Sequence, residues 1–253
     1  MLRIANAGFK YQAANGEVEV FEDISFTVNK GEFWSIVGPS GCGKSTLLSL
    51  IAGLLPVNKG EITINGEKVD GISPHIGYML QNDNLLEWRT IWKNVLFGLE
   101  IQKKINDYSI EKAEKLLKDY GLYEYRNKFP KQLSGGMRQR VALIRTLAAS
   151  PDILLLDEAF SALDYQTRLE VSNDVYKIIT DEGVTALMVT HDIPESICMG
   201  DKVMILTRRP ARIKEIVETG FPEDRTPITC RTDMGFSKLF DHIWKELKSF
   251  DEK

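Results

Sequence analysis

The chain has 253 residues, long enough for one large α/β domain or for a core domain with a smaller lobe, and its 43% apolar and 27% charged residues are the proportions of an ordinary soluble globular protein. A formal net charge of −4 excludes a nucleic-acid binder held by a basic surface overall. Cys42, Cys198 and Cys230 are odd in number and widely spaced, without a metal-type pair, so reduced thiols are expected rather than a disulfide framework.

In chain order, LRIANAGF, VEVFEDISFTV and EFWSIVG read as strands, with turns at Asn15-Gly16 and Lys30-Gly31. A helical run follows from Lys44 to Ala52, and ITINGEKV reads as a hairpin around Asn65-Gly66. From about Leu86 to Leu133 the character turns helical. IEKAEKLLKDYGL places Ile110, Ala113, Leu116, Leu117 and Tyr120 at 3-4 spacing and stops at Gly121. A further helix is expected over 134–149. The run ILLL (153–156) predicts a strand buried on both faces of a parallel sheet. A helix over 164–179 follows, with Val171, Val175 and Ile178 on one side. TALMVT, KVMILT and ARIKEIVE are the last strands. FSKLFDHIWKELKSF is a terminal helix, expected to pack on the body through Phe236, Leu239, Phe240, Ile243, Trp244 and Leu247. No signal peptide precedes this, and no apolar run approaches the ~20 residues needed to span a bilayer. The expectation is an α/β core interrupted by a helical insertion of about 50 residues, read from the change of pattern.

The strand EFWSIVG runs into GPSGCGKST, residues 38–46, which matches G-x-x-x-x-G-K-[ST] through Gly38, Gly43, Lys44 and Ser45. Such a loop turns successive backbone N–H groups inward around phosphates, and the helix behind it adds its positive end. Lys44 supplies a point charge for β- and γ-phosphates, and the Ser45 hydroxyl can ligate Mg²⁺. Cys42 reads as a small side chain tolerated in a tight loop. ILLLDE ends in Asp157, the candidate for the Mg²⁺ side, and Glu158, which can accept a proton from an attacking water. LSGGMRQR (133–140) opens a helix on two glycines, at about 1 kcal/mol each relative to alanine, so either a loop closes there or something approaches the backbone.

In this order stand GPSGCGKST, Gln81 in YMLQNDN, LSGGMRQR, ILLLDEAFSALD and VTHD. Together they resemble the ATP-binding subunits of ABC transporters across essentially the whole chain. The resemblance implies an α/β fold: a P-loop NTPase core with a mainly parallel sheet, an antiparallel β subdomain and an inserted α-helical subdomain. It implies one ABC ATPase domain over 1–253, with the core in about 1–85 and 150–253 and the signature-bearing helical subdomain in about 86–149. ATP and Mg²⁺ are the implied ligands. Gly38, Pro39, Ser40, Gly41, Cys42, Gly43, Lys44, Ser45 and Thr46 would wrap the phosphates, with Ser45, Gln81 and Asp157 toward the metal. Tyr11 matches the aromatic that stacks on adenine. Glu158, His191 and Gln81 match the catalytic positions, His191 as the γ-phosphate histidine.

In that family two subunits face each other head to tail. Ser134, Gly135 and Gly136 would then offer hydroxyl and N–H donors to the partner's γ-phosphate, and a side chain at either glycine would hold the backbone away. Asp164 matches the aspartate that crosses the dimer interface. His75 and His242 match no motif and read as structural. Met137 stands where glutamine is commoner and Ala159 where proline is usual, which leaves the hydrolysis rate open.

NDNLLEWRTIWKNVLFGLE resembles the branch that imports nitrate, sulfonates, taurine and related small molecules, with Glu87 in place of a proline. Leu85, Leu86 and Trp88 would form a groove for a helix of the membrane subunit, or else pack the insertion's own core. The implied partners are a second copy, transmembrane permease subunits and, indirectly, a solute-binding protein, with no nucleic acid. The implied location is cytoplasmic, peripheral on the inner face of the membrane. Half of an exporter is the alternative. A soluble ABC-type ATPase acting on DNA or ribosomes is a weaker one, because the chain lacks a long coiled coil and a second phosphate loop.

Overall fold

A computed structural model describes residues 1–13, 16–222 and 224–250. Strands β1 (Leu2–Ala13) and β2 (Gly16–Val28) pair antiparallel, with Leu2 opposite Val28 and Ile4 opposite Phe26. These alternating residues are buried, so period two sets which face enters the core. The expected turn at Asn15-Gly16 includes Asn15, which lies outside the described residues. β3 (Phe33–Val37) is buried at every position and leads through a loop into α1 (Lys44–Ile51). β4 (Lys59–Ile64) and β5 (Glu67–Lys68) form the hairpin around Asn65 and Gly66, whose φ of 53° and 86° give the turn the strand twist favours.

β6 (Ile76–Met79) follows, then three helices, α2 (Ile91–Val95), α3 (Phe97–Ile101) and α4 (Asp107–Asp119), and then α5 (Gly135–Ala148). β7 (Ile153–Asp157), α6 (Tyr165–Asp181), β8 (Thr185–Val189), α7 (Ile193–Met199), β9 (Lys202–Leu206), β10 (Ile213–Glu218) and α8 (Met234–Lys248) complete the chain. Among the described residues the strands form a small antiparallel sheet, β2-β1-β4-β5, and a larger sheet, β10-β9-β3-β8-β7-β6. The larger sheet is parallel except for β10, which runs antiparallel to β9.

β7 shows why ILLL is apolar throughout. Leu154 and Leu156 enter a core shared with α5 and α6, alongside Val141, Leu147, Val175 and Ile179. Ile153 and Leu155 enter a second core on the other face, with α1 and the antiparallel sheet. Each buried aliphatic side chain there contributes about 1.5–3 kcal/mol, and the two packed faces fix the carboxyl ends of β3, β7 and β8 side by side.

α8 lies over a third, smaller cluster with Ile197, Val203, Ile205 and the buried Cys198 and Cys230. Ile243 is its fully buried residue, while Phe236, Leu239, Phe240 and Leu247 are half-buried. Trp244 departs from the expected inward face. It is 54% exposed and stacks on Phe240 at a centroid distance of 6.2 Å, outside the part of the apolar stripe that the cluster buries. The sequence reading assigned no element to β6 or α7.

Candidate nucleotide site

The loop after β3 closes against the antiparallel sheet. Gly43 has φ of 119°, and a Cβ there would stand 2.5 Å from Val20 Cγ1 and 2.9 Å from Phe21 Cζ, so only glycine fits. A Cβ at Gly38 would meet the Leu206 carbonyl oxygen at 3.0 Å. Lys44 is buried, and its ammonium curls back over the loop to donate to the carbonyls of Gly38 at 2.9 Å and Pro39 at 3.3 Å. Ser40 and Gly41 are exposed at the mouth, and Pro39 is half-buried. Cys42 is buried, and burial pushes its thiol up, away from the reactive thiolate. The Tyr11 hydroxyl lies 3.2 Å from Thr46 Oγ1 and its ring stands edge-on to Phe9, which brings an exposed aromatic beside the loop.

Asp157, at the end of β7, accepts hydrogen bonds from Ser45 Oγ at 2.9 Å and from the Tyr78 hydroxyl at 3.2 Å. Burial raises its carboxyl above the ordinary value, and the two bonds and Lys44 only partly offset this. A cation beside Asp157 would reverse that penalty. The hydroxyl and carboxylate oxygens are the hard donors Mg²⁺ takes, and it needs few of them when phosphates supply the rest. Among the described residues no cluster of three or more His, Cys, Asp or Glu side chains forms a cage for a metal.

Glu158 sits at φ of 47°, uncommon for a side-chain-bearing residue and of order 1–3 kcal/mol in cost. Its amide donates to the Val189 carbonyl at 2.9 Å, which pins the turn across β7 and β8 and lifts the carboxylate off the strand. Glu158 Oε2 then stands 3.4 Å from His191 Nδ1. Gln81 Nε2 donates to Ser161 Oγ at 3.1 Å, and that hydroxyl donates to the Glu158 carbonyl at 2.9 Å. Gln81, Glu158 and His191 therefore gather at the carboxyl edge of β6, β7 and β8. Tyr78 and Ser161 complete the arrangement and were absent from the sequence reading.

The signature residues form a separate group. Ser134 caps α5, accepting from the Met137 amide at 3.3 Å, so its own O–H stays free to donate outward. Gly135 is exposed. Gly136 is buried, and a Cβ there would come within 2.8 Å of Val171 Cγ2 on α6. Close packing inside its own chain therefore requires glycine at 136, a reason additional to the approach of a partner. Asp164 caps α6, and its bond from Thr167 holds its carboxyl below the usual range. A cavity of about 310 Å³ is lined by Ser134, Gly135, Gly136 and Asp164, and none of residues 38–46 lines it. One copy thus brings the predicted residues together as two groups.

The segment after Gln81 divides between the two roles expected for it. Leu85 is buried in the core with Ile91 and Leu96, so it is removed from any groove, while Trp88 is 75% exposed and Leu86 half-buried. The fully buried Asn94 holds this loop. It accepts from the Leu86 amide at 2.7 Å and donates to the Leu86, Arg89 and Thr90 carbonyls. Arg138 of α5 grips Asp83 through Nε at 2.9 Å and Nη2 at 3.0 Å, and reaches Glu87 at 2.7 Å. Burial works against the Asp83 charge, but these bonds outweigh it and hold its carboxyl below the ordinary value. Arg145 adds bonds to the Asp83 and Asn84 carbonyls. His75 pairs with Asp152 and His242 with Glu215, both away from this edge.

Comparison with known proteins places these features. A family model described as ABC transporter matches residues 21–161. The ABC transporter ATP-binding protein YtlC of Bacillus subtilis (strain 168) is 42% identical over 100% of this chain and 97% of its own length. The taurine import ATP-binding protein TauB of Escherichia coli O157:H7 is 40% identical over 87% of this chain and 85% of its own. The ATP-binding cassette MJ0796, solved as a dimer in a post-hydrolysis state with ADP and Pi, superposes with a TM-score of 0.72 at 30% identity. That match covers 87% of this chain and 100% of the cassette.

Proposed function

The chain belongs to the ABC transporter family as an ATP-binding subunit and is an ATPase, and from that premise we propose that it powers the import of a small solute by nucleotide-driven closure of two copies. The single observation that carries the catalytic reading is the meeting of Ser45, Asp157, Glu158 and His191 where the phosphate loop faces the carboxyl ends of β7 and β8. In this reading residues 38–46 wrap the triphosphate of ATP, Lys44 turns from the loop carbonyls to the β- and γ-phosphates, and Tyr11 stacks on adenine. Ser45 and Asp157, with Gln81, would hold Mg²⁺, which when bound neutralises phosphate charge. Glu158 takes the proton of the attacking water, and His191 holds the γ-phosphate side of that water in place.

Ser134, Gly135 and Asp164 line a cavity apart from this loop, so they serve the nucleotide of a second copy arranged head to tail. Closure would be favoured by ATP and released by ADP, because only differential affinity can shift such an equilibrium. The importer reading is supported by the taurine import relative, and the exposed Trp88 offers a permease a point to dock. Cytoplasmic attachment at the inner face of the membrane follows from that docking, with a solute-binding protein on the other side. No helix of the described residues is long and apolar enough to cross a membrane.

Glu158→Gln tests the core of the proposal. It should retain ATP binding, lower turnover by about 10²–10⁴-fold, and yield an ATP-dependent dimer on size exclusion. A monomeric variant that still hydrolyses ATP at the normal rate refutes the assignment.

A further inference from the structure

Four residues past His191 stands Glu195, 6% exposed in the first turn of α7. None of the nucleotide contacts above involves it, and an acid so placed costs more to bury than an apolar residue of the same size. Packing alone therefore leaves the choice of a carboxylate unexplained. Its Oε2 accepts a hydrogen bond from Thr190 Oγ1, and Thr190 Oγ1 accepts from the Asp192 amide at 3.0 Å. Asp192 Oδ1 in turn accepts from the Glu195 amide at 2.9 Å. His191 lies between Thr190 and Asp192, so both ends of its peptide unit are tied to the turn that carries Glu195.

The ties continue outward. Asp192 Oδ2 stands 3.5 Å from Arg168 Nη1, and Arg168 Nη2 donates to the Leu163 carbonyl at 2.9 Å, one residue before Asp164. We propose that Glu195 is a positioning residue for His191, fixing its loop through Thr190 and Asp192 and coupling that loop through Arg168 to the turn that carries Asp164. The proposal rests on the assignment of His191 to the hydrolysis step.

The charged groups facing Glu195 are Asp192 from the same loop, Arg168 from α6 and Arg231 from the turn at Thr229–Thr232. Burial pushes the carboxyl up to about 7, against the pull of Thr190 and the two arginines. Ionised, it is the stronger acceptor for the Thr190 hydroxyl. A buried acid with this one anchoring bond acts on the element that bond holds, and that element is the histidine loop.

The test uses the purified chain, with saturating turnover, affinity for a fluorescent ATP analogue and thermal unfolding measured on Glu195→Ala, Thr190→Val, the double variant and His191→Ala. Each single change should lower kcat about tenfold with KM within about twofold, because a displaced loop harms the reacting geometry more than the binding. The double variant should be no slower than the worse single one, since Thr190→Val already removes the bond that Glu195→Ala cuts, along with the one from the Asp192 amide. Thr190→Val, near-equal in volume, reads the same outcome if Glu195→Ala fails to fold. Single variants that lose only melting temperature, or a double variant slowed by the product of the two, overturn the coupling. If His191→Ala turns over normally, the role of His191 falls and the coupling with it. If His191→Ala is inactive while Glu195→Ala and Thr190→Val are not impaired, the coupling alone falls.

Discussion

Gly136→Ala separates two reasons for a glycine that sequence alone cannot tell apart. An alanine near the start of α5 would gain at most about 1 kcal/mol of helix propensity. Against this, its methyl carbon would lie 2.8 Å from Val171 Cγ2, well inside the optimal carbon–carbon separation of about 3.5–4.0 Å. Either α5 and α6 separate or Val171 leaves its rotamer, and overpacking of this kind costs about 1–3 kcal/mol. The net expectation is a destabilisation of about 1 kcal/mol, a fall in melting temperature of about 2–4 °C for a chain of this size. Gly135→Ala is the control. Its methyl would stand 3.3 Å from Leu163 Cδ2, the far end of a flexible side chain, so the melting temperature should hold or rise. Thermal unfolding of both variants without nucleotide reads the difference, and Val171→Ala should suppress the loss at 136 but do nothing for 135. If Gly136→Ala melts higher than the parent, the contact with Val171 does not constrain the helix, and the partner's approach would be the sole reason for the residue.

Lys44→Ala should weaken ATP binding about tenfold or more and abolish turnover with it, since a charge-assisted donor is lost to the phosphates; equilibrium binding checks this, and unchanged affinity refutes the cradle. Leu85→Asp should unfold the chain or cost about 3–5 kcal/mol, whereas Trp88→Asp should leave melting within about 0.5 kcal/mol and abolish co-purification with the permease. Equal melting of the two would contradict their opposite burial. Glu195 makes stability fall as pH rises. Its folded carboxyl lies at about 7 against an ordinary 4.5, so the folded state holds the extra proton between those values and carries the full penalty, about 3 kcal/mol, above 7. Denaturant titrations of Glu195→Gln should show that slope flattened, and an unchanged slope would assign it elsewhere.

The residues legible from sequence are those whose chemistry is set by neighbours in the chain. Gly38, Gly43, Lys44 and Ser45 sit within one turn of backbone, and the apolar run of β7 delivers Asp157 and Glu158 to its end by covalent connection alone. Tyr78 and Ser161 were missed because their value depends on β6 lying beside β7, with Tyr78 in register with Leu155. β6 itself is four residues long and includes a glycine, too short for a period to declare itself. The start of α7 does carry its signals in the sequence: Asp192 caps it, and Pro194 lies in its first turn. Leu85, Leu86 and Trp88 could not be sorted, since an irregular loop has no period and the sorting is done by Asn94 from the helix beyond. Trp244 misled for the opposite reason. The helical period was right, but how much of that apolar face the body covers is a tertiary fact.

The bonds from α5 fix where the molecule can bend. Arg138 stands four residues after Ser134, and it clasps Asp83, two residues after Gln81, and Glu87 one before Trp88. Arg145 holds the Asp83 and Asn84 carbonyls from about two turns of helix farther on. Each such charge-assisted bond contributes about 1.5–3 kcal/mol when shielded, less where Glu87 meets solvent. Together they exceed thermal energy several-fold, so the segment from Asp83 to Trp88 travels with α5. Gln81 is held instead to Ser161 by one neutral bond, on the side of β7. The weak joint therefore falls between Gln81 and Asp83. With the permease docked at Trp88 as proposed, a push there would reach Ser134 through Arg138, while Gln81 would be left to make or break its contact at the nucleotide edge.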